Sequence, residues 1–125
     1  MIIRIESHHV ALPDTGPATI EHFTRRSLRP VAHGIARVTL ALRHDRAPGD
    51  GRSRTCSVRI ELSGGGHVMI VDRSRSMKRA VARGLRRARR LVAGTLKRRA
   101  VAERRARAQS KRRLDVGGSP LPAAG

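Results

Sequence analysis

A chain of 125 residues has room for one domain with one hydrophobic core and a tail, which excludes multidomain architectures. Its 28 Lys and Arg against 9 Asp and Glu leave a formal charge of +19, far beyond what solubility requires, so a polyanionic partner is expected and nucleic acid is the first candidate. Phe23 is the only aromatic residue, so modules that stack single-stranded bases on aromatic platforms fit poorly, whereas recognition through phosphates and helix shape stays open.

The chain opens with "MIIRIESHHV", in which Ile3 and Ile5 alternate with Arg4 and Glu6 as in a half-buried strand. Those charges break the apolar run, so no signal peptide is read there, and no later stretch approaches the roughly 18 apolar residues of a membrane span. A cytoplasmic protein with no membrane partner is the expectation. "LPDTGP" then supplies a turn and a helix start, with Asp14 or Thr15 as cap and Pro17 in the first turn. Ile20, Phe23 and Leu28 fall on one face of a short helix that Pro30 ends, and Arg25, Arg26 and Arg29 form a small cationic cluster on it, a candidate for RNA contact.

In "GIARVTLALRHD", Val38, Leu40 and Leu42 share one face of a second strand and Arg37, Thr39 and Arg43 the other. "RAPGDGRS" is a loop by composition. In "TCSVRIELS", Cys56, Val58, Ile60 and Leu62 oppose Ser57, Arg59 and Glu61. Cys56 is alone, so no intramolecular disulfide is possible; a buried thiol in a reducing compartment fits the pattern. "GGG" at 64–66 is a turn, and "HVMIVD" is a fourth short strand. Short turns between the last three strands predict an antiparallel meander.

Winding residues 77–96 at about 100° per residue places Met77, Val81, Gly84, Leu85, Ala88, Leu91, Val92 and Leu96 on one face. Arg79, Arg83, Arg86, Arg87, Arg90 and Lys97 cluster opposite. A disordered basic tail has no reason for such segregation, so the helix is expected to bury its apolar face on the sheet and present the arginines outward. Gly84, on the apolar face, permits close approach to a strand, and Arg87 and Arg90 are expected to lie clear of the packing. Of the 28 cations, 18 lie between Arg73 and Arg113, where Glu103 is the only acid, so phosphate binding rather than a solvated face is the reading, with Lys97, Arg98 and Arg99 extending it.

The predicted order is β-α-β-β-β-α, an α+β fold with a four-stranded sheet and two helices on one face, similar to a double-stranded-RNA-binding domain. A domain over residues 1–99 is expected, its terminal helix extending to about residue 108 and fraying from about 100 until RNA binds. A disordered basic, Gly/Pro/Ala-rich tail follows at 109–125.

This order, with its basic second helix, resembles the ribosome hibernation-promoting factor family, also called ribosome-associated inhibitor or sigma-54 modulation proteins. The resemblance covers about residues 2–99. It is carried by "SHHV" after the first strand, by "LPD" before the first helix and by "RAVARGLRRARRL" in the last. There Ala80 and Val81 match the helix start, while Arg87 and Arg90 take positions commonly Lys and Arg. Ala82 and Arg86 stand at positions often Asp, and Lys78 where Tyr is frequent, which makes this helix more basic than the usual pattern. The resemblance implies a short-form factor that settles on the 30S subunit or 70S ribosome near the decoding centre. There it would contact 16S rRNA in the mRNA–tRNA channel and silence translation in stationary phase or stress.

His8 and His9 are adjacent, so in a strand they point to opposite faces, and no Cys pair or carboxylate cluster joins them; no metal site is read. Glu6, Glu21, Glu61 and Asp72 are scattered over different elements without a motif, and "GGG" precedes a strand rather than a helix. No enzyme, cofactor or small-molecule substrate is expected. Two alternatives stay open: a general double-stranded RNA or nucleic-acid-binding module, and a small ribosomal or assembly protein.

Overall fold

The computed structural model describes residues 1–8, 16–45 and 53–118. Its elements are β1 (Ile2–His8), α1 (Pro17–Leu28), a 3₁₀ turn (Arg29–Gly34), β2 (Ile35–Asp45), β3 (Ser53–Leu62), β4 (His67–Ser74) and α2 (Met77–Gly118). The order β-α-β-β-β-α is the one predicted. The chain divides into two compact units, Met1–Ala93 and Gly94–Gly125.

In the first unit the four strands lie in sequence order. β2, β3 and β4 form the antiparallel meander, Val58 facing Leu40 on one side and Ile70 on the other. β1 runs parallel to β2, with Ile3 beside Val38 and Ile5 beside Leu40, because α1 intervenes and returns the chain to the same end of the sheet. At the meander's tight corner Gly65 and Gly66 have φ of +94° and +82°, values that an L side chain adopts only with strain, and the Leu62 N–H donates to the Gly66 carbonyl. The "GGG" turn therefore does conformational work.

The alternating apolar rows become the core. Val38, Leu40, Leu42, Cys56, Val58 and Ile60 are fully buried, each large aliphatic side chain contributing about 1.5–3 kcal/mol. Over them lie Ile20 and Leu28 of α1 and Ala80, Val81, Leu85, Ala88 and Val92 of α2, so both helices cover one face. Thr24 is buried among them with its hydroxyl donating to the Ile20 carbonyl at 2.7 Å. At Gly84 α2 lies close against the sheet. A Cβ there would stand 3.3 Å from Val58 Cγ2, 3.8 Å from Asp72 Cβ and 3.9 Å from Cys56 Sγ.

Three details differ from expectation. The cap of α1 is Gly16, whose carbonyl accepts from Thr19 and Ile20 N–H while Pro17 opens the helix; Asp14 and Thr15 lie outside the described residues, as do His9 and most of the loop "RAPGDGRS". As expected, α1 stops just before Pro30, at Leu28, and Pro30 sits at the start of the 3₁₀ turn, where its missing N–H is harmless. Leu91, assigned to the apolar face, is 44% exposed, and Ala80 is buried in the row instead. Finally, α2 continues to Gly118, past the expected limit near residue 108. Residues 97–113 are rich in Ala, Arg, Lys and Gln, all strong helix formers, and Arg107 approaches Glu103 one turn earlier at 4.0 Å. The rest of the expected tail lies outside the described residues.

Candidate nucleic-acid interface

Within Met1–Ala93, α2 presents Lys78, Arg79, Arg83, Arg86, Arg87, Arg89 and Arg90, all exposed, on the side away from its buried row. Arg79, Arg83, Arg86 and Arg90 follow one another at i+4, i+3 and i+4, a line about 16 Å long on the helix surface. Neighbouring like charges in such a line repel by a few tenths of a kcal/mol each, so the helix is held by its packed face rather than by propensity.

The stripe is not uniform. Asp72 occupies the inward row of β4 opposite Cys56, and its side chain is 4% exposed. It accepts from Arg87 Nη1 at 3.3 Å, and Arg83 Nε stands 3.8 Å from its other oxygen. The same Arg87 nitrogen donates to the Val71 carbonyl at 3.3 Å. The expectation that Arg87 lies clear of the packing is therefore wrong: the guanidinium spans from α2 to β4 and neutralises a carboxylate sealed beneath the helix. Asp72 reads in the sequence as one of several scattered acids, because only pairing with β3 shows that the row it shares with Ile70 is the inward one. Arg79, Arg86 and Arg90 form no ion pair with any described residue.

The α1 cluster is likewise divided. Arg25 pairs with Glu21 at 3.3 Å, while Arg26 and Arg29 are exposed and form no ion pair among the described residues. In the Gly94–Gly125 unit, Lys97 and Arg98 are exposed, Arg98 donating to Thr95 Oγ1 at 3.2 Å, and Arg99 is half-buried. Sequence reading passed over Arg89, and also the sheet face opposite the helices, which carries Arg43, Arg59 and Arg73 as well as Arg4 paired with Glu6 and Arg37 paired with Glu61. The alternation in β2 and β3 had already put Arg37, Arg43 and Arg59 on that side.

The arrangement is a solvent-facing run of cations, the chemistry that attracts anions. Burial, reinforced by the Asp72 charge, pushes the Cys56 thiol up to about 12, so it stays protonated and unreactive at neutral pH. Among the described residues no group of three or more His, Cys, Asp and Glu could hold a metal ion, and no helix is long and apolar enough to cross a membrane. His8 is exposed, 3.9 Å from Glu6.

By sequence the chain matches no protein-family model and no curated protein. By structure it is similar to a ribosomal subunit interface protein from Coxiella burnetii, with a TM-score of 0.60 and 14% identity over 78% of this chain and 99% of that one. It is also similar to the N-terminal domain of Thermus thermophilus Protein Y, with a TM-score of 0.55 and 17% identity over 74% of this chain and 96% of that one. At these identities the likeness is one of fold.

Proposed function

We propose that this chain is a ribosome hibernation factor. It binds the small subunit, in 30S or 70S particles, through 16S rRNA near the decoding centre, and it inhibits translation by filling the mRNA–tRNA channel rather than by chemistry. The observation that carries the reading is the cation line Arg79, Arg86 and Arg90, free of acidic partners among the described residues and held outward by an apolar face locked on the sheet. Arg26 and Arg29 on the neighbouring segment add to it, and Lys97 and Arg98 supply exposed cations of the second unit. The fold is that of a protein described as a ribosomal subunit interface protein, and this supports the ribosome as the polyanion concerned.

The test is sedimentation of the purified protein with 30S subunits, 50S subunits and a duplex RNA competitor at roughly physiological salt, where non-specific phosphate binding is already weak. Retention on 30S that resists the competitor is expected, together with a block of 30S-dependent initiation at stoichiometric excess. Loss to the competitor would leave a general duplex-RNA module.

A further inference from the structure

The one aromatic ring of this protein does not sit in the core. Phe23 is half-buried and, with Thr19 and Ile20 of α1, faces Met77, Lys78, Val81 and Ala82 of α2 across a groove of about 190 Å³. The walls are apolar except for the Thr19 hydroxyl and the Lys78 ammonium. This volume is below the roughly 300–1,000 Å³ typical of cofactor and small-molecule sites, yet equals the share of several waters, the scale of one flat ring system.

The surroundings of the groove are cationic. On α1, Arg26 stands one turn beyond Phe23 on the same side, whereas Glu21 and its partner Arg25 point the opposite way at 100° per residue. On α2, Arg86 follows Ala82 by one turn, and Arg89 lies on the side of the helix that carries Lys78. A polyanion held by these side chains carries its backbone along the rim. The group it can offer to an apolar slot is a base turned out of its stack, and an aromatic side chain is what such a base packs against.

We infer that the groove between α1 and α2 receives a single unpaired nucleobase, its ring against Phe23 and Met77, its edge within reach of the Thr19 hydroxyl and its phosphate on Lys78. The inference rests on the reading that the helix face binds RNA, and it adds selectivity: RNA carrying a bulged or looped-out nucleotide is preferred over a perfect duplex of the same charge.

The experiment uses the full chain labelled with ¹³C at its methionine methyl groups, of which there are three, at Met1, Met69 and Met77. It is titrated at physiological salt with two hairpin RNAs that differ by one bulged purine. The bulged RNA is expected to bind about tenfold tighter and to move the Met77 methyl upfield by ring current, while Met69, 53% exposed on the opposite sheet face, stays in place. Phe23→Leu, which keeps the apolar bulk without the ring, and Ala82→Leu, which fills the slot, should each bring the affinity for the bulged RNA down to that for the duplex. Equal affinity for the two RNAs, or a Met77 shift of the same size with both, overturns the inference while leaving the RNA reading intact. Binding of neither overturns that reading. A Met77 shift with anionic lipid vesicles and with neither RNA would assign the groove to an acyl chain and overturn both.

Discussion

Arg87→Ala tests the structural part that one member of the arginine stripe plays. The Asp72 carboxylate, 4% exposed, would lose its partner at 3.3 Å and keep only Arg83 at 3.8 Å. Removing one member of a fully buried charge pair costs about 3–5 kcal/mol, while an exposed pair is worth about 0–1. Here the acid is buried, but the Arg87 side chain is 55% exposed and Arg83 remains, so the cost falls between, at about 2 kcal/mol. For a unit of this size that is a fall in Tm of about 8–16 °C, read by far-ultraviolet circular dichroism because the chain has no Trp or Tyr. Asp72→Asn removes the buried charge itself and leaves two guanidinium groups that can turn to water, so it should cost less, about 1 kcal/mol. The double variant should be more stable than the sum of the single costs implies, by about 1 kcal/mol. A cost below about 0.5 kcal/mol for Arg87→Ala, or strict additivity in the cycle, would show that the pair is an ordinary surface contact and would refute the reasoning.

Gly84→Ala gains about 1 kcal/mol of helix propensity but places a methyl 3.3 Å from Val58 Cγ2; overpacking of about 1–3 kcal/mol outweighs the gain, and urea unfolding should show a net loss of about 1 kcal/mol. The Cys56 proton is retained in the folded chain up to about 12 but lost from the unfolded chain near 9.0, so the folded state binds more protons between these values and stability falls as pH rises above about 9. Cys56→Ala should lower stability at neutral pH and flatten that alkaline decline, by up to about 1.4 kcal/mol per pH unit; identical pH profiles would rule the assignment out. Joint replacement of Arg79, Arg86 and Arg90 by Gln should leave Tm unchanged or slightly raised, since like-charge neighbours are removed. It should also reduce the slope of log affinity against log salt by about 2–3, measured on any duplex RNA.

What could be read from the sequence was whatever depends on local period. Val38, Leu40 and Leu42, and Cys56, Val58, Ile60 and Leu62, declare their face by strict alternation, and all seven are buried. Gly84 declared itself because it interrupts an otherwise apolar helical row. β4 was harder, since Met69 and Val71 are as apolar as Val68 and Ile70; both faces read alike, and only pairing with β3 turns Ile70 and Asp72 inward. That ambiguity hid the ion pair, and with it the second role of Arg87. Phe23 shares a helical face with Ile20 and Leu28 in the sequence, yet it is half-buried while Thr24 is buried, and the groove beside it is a property of two helices that are distant in sequence, so periodicity in one helix does not report it. The parallel partner of β1 is likewise set by the crossover through α1, not by any residue of "IIRIESH".

Among the described residues β4 has a single neighbour in the sheet, and a strand with one neighbour is a template on which a second molecule can add its own. The bond from Arg87 to the Val71 carbonyl reaches the backbone in the middle of that strand. Arg73 and Arg75 place further charge at its end. The helix that carries the arginine stripe thus also reaches the backbone of a strand at the sheet margin. Loss of Arg87 would remove its bond to that strand's backbone and its ion pair with Asp72 at the same time.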